Sequence, residues 1–400
     1  MDELKTVYKR VPEEQLIYEL NITQNKQRGI LKSVHCADLH FGCINPEDEY
    51  NILKDQMLNK LEAIDFDIFC IDGDLLDHKF MSNSDPVLYA SLFVSDCINL
   101  CKRKNATMMI IAGTWFHDAG QLKLFYHYLK DPDIDLRIIE KVQFEYVKGA
   151  KILCIPELYD QGREYYANFL FNQGFYDEVF MHGTIRGAIY GTDNKDTNSK
   201  SSPVFTIDDF LFCLGPIYSG HVHTPGCFYK YFYYCGSPIR YCFGEEEEKG
   251  FLISLHNLDT HYHYTHMEPV KSFRYDTIDA NELITRDPQE VIEYLNNLQS
   301  NGIDNIRLDL SKMLSQEELN KLTILKQYYR TNGNVKIKYD HRKEEANSKA
   351  REELETTYDE YGYILDKSLS PEEIFTIYVN QQEGYEFITV DELKELLSDI

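Results

Sequence analysis

The residues of this sequence best suited to chemistry are aspartates and histidines standing where apolar runs end. Asp38-Leu39-His40 follows ILKSVHCA, Gly73-Asp74-Leu75-Leu76-Asp77 follows FDIFCI, His182-Gly183 follows DEVFM, and Gly220-His221-Val222-His223 comes last. Side chains alternate along an extended segment, so a carboxylate and an imidazole two residues apart, or two imidazoles, reach the same side and can grip one metal ion. Asp74 stands where one carboxylate could bridge two cations, and Gly73 allows a close backbone approach. A lone DxH triplet is a weak signal. Five histidines (His40, His117, His182, His221, His223) and two aspartates (Asp38, Asp74), all at strand-to-loop junctions, form a pattern that chance does not explain.

Mixed imidazole and carboxylate donors suit Mn²⁺, Fe²⁺ or Zn²⁺ better than Mg²⁺. No paired thiolate spacing points to a structural zinc site. In two-metal sites the ions sit about 3.5–4 Å apart, activate a shared water and stabilise both attacking and leaving oxygens during in-line displacement. The chemistry implied is phosphoryl transfer by a two-metal phosphoesterase.

Such ligands need strands to carry them. The runs before Asp38, Asp72, Gly113 (TMMIIA) and His182 have the strand-then-loop pattern of an α/β core. Between the second and third, DPVLYASLFVSDCINLCKRK has apolar residues at helical spacing and basic residues in its last turn, predicting an amphipathic helix. IIEKVQFEYV, AKILCIPEL, CFYKYFYYCGS and GFLISLHNL, rich in aromatic and β-branched residues, predict a second sheet. Gly191 to Ser202 reads as an exposed polar loop. From Glu268 a β-α-β-α-β order predicts a small α/β domain over residues 268–340. A charged linker follows over 341–367. Residues 368–400 hold two short helix candidates and are expected to form a helical hairpin, opened by Ser370-Pro371-Glu372 in the manner of an N-cap with proline at the first helical position. Residues 1–30 precede the main domain, 31–267, as an extension.

The chain has 400 residues, with 43% hydrophobic and 27% charged, which suits a soluble protein of more than one domain. No apolar run is long enough to span a bilayer, and the first twenty residues lack a secretory apolar stretch, so the cytoplasm is expected. Ten scattered cysteines without a CxxC pair read as buried thiols in a reducing compartment, Cys97 and Cys101 among them on one helix face. A net charge of -25, densest beyond Asp340, argues against a chain that holds DNA by its own field.

In their order, DLH, GDLLD, a GNH-like element, MHG and GHVH resemble the calcineurin-like metallophosphoesterases. GSPIRYCFGEEEEKGF, Gly236 to Phe251, resembles the segment closing the nuclease domain of the SbcD family of DNA exonucleases, as does the order of a capping domain and a terminal hairpin. The resemblance implies a two-sheet sandwich flanked by helices, with Asp38, His40, Asp74 and His223 on one metal and Asp74, His182 and His221 on another, the ions being Mn²⁺. It implies a DNA exonuclease with endonuclease capacity. It also implies a partner of the SbcC type, an ABC ATPase with a long coiled coil docked on Ser368 to Ile400, and a homodimer through Asp85 to Lys104 within a heterotetramer. The chain has no GxxxxGK[ST] loop of its own, so ATP-driven steps fall to the partner.

The chain departs from the family where GNHD is expected and Gly113-Thr114-Trp115-Phe116-His117-Asp118 stands. The family's asparagine, a ligand of the second metal, is missing. His117 aligns with the family's proton donor to the leaving 3′ oxygen, held by Asp118, and Thr114 could replace the asparagine directly or through water. Asp77 orients a ligand or caps a helix. Trp115 could stack on a base, although its ring size favours the core, and Arg240 touches a phosphate or braces the closing segment. Two rivals stand beside this reading: another phosphoesterase acting on nucleotides or phosphoproteins, and a non-catalytic scaffold with a degenerate Gly113–Asp118 loop.

Overall fold

The computed structural model describes residues 28–339 other than 119, 160, 187–188, 191–193, 196–203 and 332–333. Nearly all of the N-terminal extension, most of the Gly191–Ser202 loop, the charged linker and the C-terminal hairpin lie outside these residues.

Two six-stranded mixed sheets form the larger unit. The first contains β1 (Ile30–Cys36), β2 (Ile68–Ile71), β3 (Thr107–Ile111), β4 (Leu136–Ile139), β15 (Gly250–Asn257) and β16 (His263–Pro269) in the order β16-β15-β1-β2-β3-β4. Strands β1 to β4 run parallel, while β15 pairs antiparallel with both β1 and β16. The second contains β5 (Gln143–Val147), β6 (Ala150–Ile155), β7 (Glu178–His182), β12 (Ile217–Gly220), β13 (Gly226–Phe228) and β14 (Phe232–Tyr234) in the order β13-β14-β12-β7-β6-β5. Here β6, β7, β12 and β14 are parallel. Four two-residue strands, β8 (Thr184–Ile185), β9 (Ile189–Tyr190), β10 (Asn194–Lys195) and β11 (Val204–Phe205), lie between β7 and β12. Of the stretches that suggested one second sheet, IIEKVQFEYV is divided between the two sheets and GFLISLHNL belongs to the first.

Alternation along each strand explains the layering. In β2, Ile68 and Cys70 face the second sheet, where they meet Ile152, Cys154, Phe180 and Tyr218. Phe69 and Ile71 face the other way, into a core shared with α1 (Pro46–Leu53) and α2 (Asp85–Lys104). Neighbouring β3 divides likewise, Met109 and Ile111 inward, Met108 and Ile110 toward the helices. On the far side of the second sheet, Leu153, Val179 and Met181 pack with Tyr166 and Leu170 of α3 (Arg163–Phe171). The order is helices, sheet, sheet, helix. Strands buried on both faces carry apolar residues without interruption, as IFCI of β2 and MMII of β3 do.

Local signals set the helix ends. Asn45 accepts hydrogen bonds from the N–H groups of Glu47 and Asp48 ahead of α1, with Pro46 at its first position, and α2 stops at Asn105 in a left-handed conformation. The predicted stripe of α2 (Val87, Ala90, Phe93, Val94, Cys97, Ile98, Cys101) is buried in its own subunit, with Leu88 and Leu92 left exposed. Six of the ten cysteines are buried as predicted, Cys213 is half-buried, and three are exposed: Cys43 and Cys242 stand in loops and Cys227 in the short edge strand β13. No helix among the described residues is long and apolar enough to cross a membrane.

One polar network sits in the layer between the sheets. His35 Nδ1 meets Asp72 at 2.8 Å, its Nε2 meets Ser33 Oγ at 2.9 Å, and its ring stacks on Tyr218. Polar groups buried this fully require such partners.

Among the described residues, the second unit comprises Ile278–Asn297 and the stretch from Ile306 to Tyr339. Its sheet, β17 (Tyr275–Asp279), β18 (Asn305–Leu310) and β19 (Val335–Tyr339), alternates with α4 (Pro288–Ser300) and α5 (Gln316–Tyr329) in the predicted β-α-β-α-β order. Val291 and Leu295 of α4 and Leu322 and Leu325 of α5 are buried, as are Ile306 and Leu308 of β18. A capping box opens α5, Ser315 Oγ accepting from Glu318 N and Glu318 Oε2 from Ser315 N.

Phe93 is fully buried and lies against Phe41, so Phe93→Ala should cost about 3–5 kcal/mol in urea unfolding. A loss below about 1 kcal/mol would contradict the packing of α2 on its own sheet.

Candidate metal centre

The C-terminal ends of parallel strands from both sheets converge. Asp38 and His40 follow β1, Asp74 follows β2 and the Gly113–Asp118 loop follows β3. His182 ends β7 and His221 follows β12. Backbone pairing fixes their register: Asp38 N donates to Gly73 O, His40 N to Asp74 O and Phe41 N to Leu75 O, each at 3.0 Å. His221 N donates to both oxygens of Asp38, at 2.9 and 3.1 Å.

Extended alternation is not what aims these side chains. Asp38, His40, Asp74 and His221 have φ of 52°, 47°, 53° and 83°. Left-handed backbone in non-glycine residues costs on the order of 1–3 kcal/mol each and gathers at functional sites. The strands end just before the ligands, and tight turns then point them into one space. Glycine is required twice nearby: a Cβ on Gly73 would lie 2.1 Å from His182 Nδ1, and one on Gly113 would lie 2.2 Å from Asp74 Oδ1.

The candidate donors form two groups that meet at Asp74. In one, Asp38, His40 and His223 bring their ligand atoms together, with His40 Nε2 and His223 Nε2 3.0 Å apart. In the other, His182 and His221 converge with Glu157, whose Oε2 lies 3.8 Å from His182 Nε2 and 3.4 Å from His221 Nδ1. Asp74 Oδ2 lies 3.2 Å from His182 Nε2, 3.8 Å from His40 Nε2 and 4.0 Å from His117 Nε2. Asp38, His40, Asp74, Glu157 and His182 are all buried. His182 Nδ1 donates to Asp72 O at 2.7 Å, which leaves Nε2 as the coordinating nitrogen, the arrangement by which a second group orients a metal-binding imidazole. Close imidazole nitrogens beside buried carboxylates fit a divalent cation.

Electrostatics carry the same mark. Burial lifts Asp38, opposed by His223 and His182. Burial would lift Asp74 too, but His182, His40 and His117 together hold it well below the ordinary carboxylate range. His182 moves the opposite way: burial disfavours its charge, yet Asp74 raises it far above a normal imidazole. Burial pushes His40 down to about 3.

The closing segment secures His223. Ser237 N and Lys249 Nζ donate to His223 O, and Glu245 Oε1 lies 3.4 Å from His223 Nδ1. Burial opposes the charge on Glu245, but His223 and Lys249 outweigh it and lower its carboxyl to about 2. Tyr241 OH donates to Leu39 O between the two ligands after β1. Arg240 braces this segment by donating to the carbonyls of Glu246 and Glu247.

Two expected contacts at the Gly113–Asp118 loop are different. Asp118 does not hold His117. It is buried and accepts from Leu75 N and Gly113 N, tying the loops after β2 and β3 together, and burial with Asp74 nearby raises its carboxyl to about 7. His117 Nδ1 instead donates to Asp77 O, leaving Nε2 toward Asp74. Asp77 caps no helix, since Ser84 holds the N-cap position of α2; its Oδ1 lies 3.7 Å from His40 Nδ1. Trp115 is 62% exposed and Phe116 76%, because the short helical turn they share projects away from the core. Thr114 reaches the centre through its N–H, 2.6 Å from Asp74 Oδ1, and through its hydroxyl, which donates to Glu157 Oε2 at 2.8 Å. Glu157 and Glu245 escaped the sequence reading. Glu157 does follow an apolar run, AKILCIP, like the candidate ligands predicted from sequence, whereas Glu245 is hidden in a run of four glutamates.

No family model matches the chain, and no curated protein matches it. Among solved structures, the chain is similar to the hypothetical protein PH1004 from Pyrococcus horikoshii OT3, at 11% identity and a TM-score of 0.29 over 74% of this chain and 97% of that one. A second structure is similar at 10% identity and a TM-score of 0.36, over 60% of this chain and 99% of its own. Likeness this slight identifies neither fold nor function.

Asp74 favours the protonated form of His182, and coordination through Nε2 must displace that proton. Mn²⁺ affinity should therefore rise with pH through neutrality, by up to about tenfold per unit for each proton released. Calorimetry in buffers of different ionisation enthalpy measures this; pH-independent affinity without proton release would contradict it.

Proposed function

We propose that this chain is a Mn²⁺-dependent DNA nuclease subunit resembling SbcD, built on a calcineurin-like metallophosphoesterase sandwich and working with an ABC-type ATPase. The observation that carries the reading is the pair of donor groups meeting at Asp74. Asp38, His40, Asp74 and His223 would hold one cation, and Asp74, His182 and His221 the other. When bound, such a pair supplies an activated water and neutralises charge developing on the phosphodiester.

The chain's own groups do the rest. His117, held through Nδ1 with Nε2 toward Asp74, donates a proton to the leaving 3′ oxygen. Glu245 and Asp72 O fix the imidazoles of His223 and His182. Trp115 and Phe116, exposed directly before His117, offer rings on which an unpaired base could stack. With a net charge of -25, most of the DNA affinity would come from the partner, which would dock on residues 368–400, outside the described residues, and the subunit would pair with itself within a heterotetramer.

With Mn²⁺, the purified protein should cut linear duplex or single-stranded DNA; turnover of small phosphate esters alone would sink the nuclease reading. His117→Ala should lower cleavage by about 10²–10⁴-fold while sparing metal content, and Asp74→Ala should lose both. Loss of metal in His117→Ala would instead make His117 a ligand. Replacing both Trp115 and Phe116 by alanine should weaken binding of single strands by about 1–3 kcal/mol per stacked base, read as KM for an oligonucleotide against KM for a small diester. An equal change in both KM values would exclude stacking.

A further inference from the structure

We infer that Glu157 is a ligand of the second cation, together with Asp74, His182 and His221, and that Thr114 is not a ligand but the positioning residue that holds it. This rests on the two-metal reading and specifies what replaces the missing amide.

Glu157 stands just past β6, beside β7 in the second sheet, so it belongs to the same row of strand ends as His182 and His221. Its backbone N–H donates to Ala112 O at 3.2 Å, which anchors it to the end of β3. The side chain is buried, and its Oε2 sits 3.4 Å from His221 Nδ1 and 3.8 Å from His182 Nε2. Donors bound to one ion at about 2.0–2.2 Å stand about 3–4 Å from each other, so these are the separations of groups sharing an ion. The Thr114 hydroxyl spends its proton on the same oxygen, at 2.8 Å, as an outer residue does when it orients a coordinating carboxylate. Thr114 Oγ1 is also 3.4 Å from His182 Nε2, so the hydroxyl borders the group without adding a charge to it.

The substitution changes the centre's charge. An amide ligand is neutral, whereas Glu157 adds a third carboxylate to Asp38 and Asp74 around two dications. Anionic oxygen strengthens the hold on a hard cation, so the second ion should be retained more firmly than an amide would retain it. Thr114 could then lose its hydroxyl at a smaller cost than the loss of Glu157's charge.

Mn²⁺ titration of the full-length, metal-stripped chain by calorimetry, paired with electron paramagnetic resonance, tests this without relying on cleavage. Wild type should take two equivalents and show a spin-coupled pair. Glu157→Gln, matched in shape, should keep one equivalent and weaken the other by more than the ~10–100-fold that loss of an outer partner costs, leaving the spectrum of an isolated ion. Thr114→Val should weaken that same equivalent by a smaller factor, and it serves alone if Glu157→Gln does not fold. Two unchanged equivalents in Glu157→Gln would overturn the assignment while leaving the two-metal reading intact. If wild type takes fewer than two, that reading fails and Glu157's role falls with it.

Discussion

Asp74 is a carboxylate with almost no access to water, placed among imidazoles of His40, His117 and His182, with no lysine or arginine paired to it among the described residues. Burying a charge is costly unless it is paired, and an imidazole is a conditional partner because it must take up a proton. Asp74 accordingly raises His182 far above an ordinary imidazole. A divalent cation is the better partner, since the lone pairs of nitrogen and oxygen can then point at positive charge without protonation. Much of the surrounding structure serves this one carboxylate: Thr114 N holds its Oδ1, Gly113 makes room for it, and Asp118 ties the loops on either side.

The centre is held by backbone as much as by side chains. Four candidate ligands stand in left-handed conformation, and the energy that this costs has to come from the layers beneath. The cores on both sides of each sheet supply it, and the His35–Asp72 pair between the sheets links them to the site, because the same Asp72 that bonds His35 offers its carbonyl to His182. The segment from Gly236 to Phe251 does comparable work for His223. Its glutamates are not simply a solvated charge run, since Glu245 is drawn inward by His223 and Lys249.

The strands and helices of both units were legible because each obeys one period. IFCI of β2 and MMII of β3 are apolar on both faces, α2 repeats at helical spacing, and the β-α-β-α-β order after Pro269 is written in alternating patterns. The candidate ligands were legible because histidine and aspartate rarely cluster at strand ends. What stayed hidden depends on contacts distant in sequence. Glu157 meets Thr114 from 43 residues away, and the apolar run before it marks a strand end without revealing that contact. The local reading that paired His117 with its neighbour Asp118 failed because a helical turn points adjacent side chains apart, leaving the carbonyl of Asp77 to hold the ring. Trp115 was misjudged for a similar reason: ring size favours burial, but its place on a projecting turn decides otherwise.

The measurement that bears most directly on the proposed dinuclear centre is anomalous diffraction from crystals of the full chain grown with Mn²⁺. Two peaks about 3.5–4 Å apart, with Asp74 between them, are expected. A single peak, no peak, or a pair that Asp74 does not bridge would contradict it.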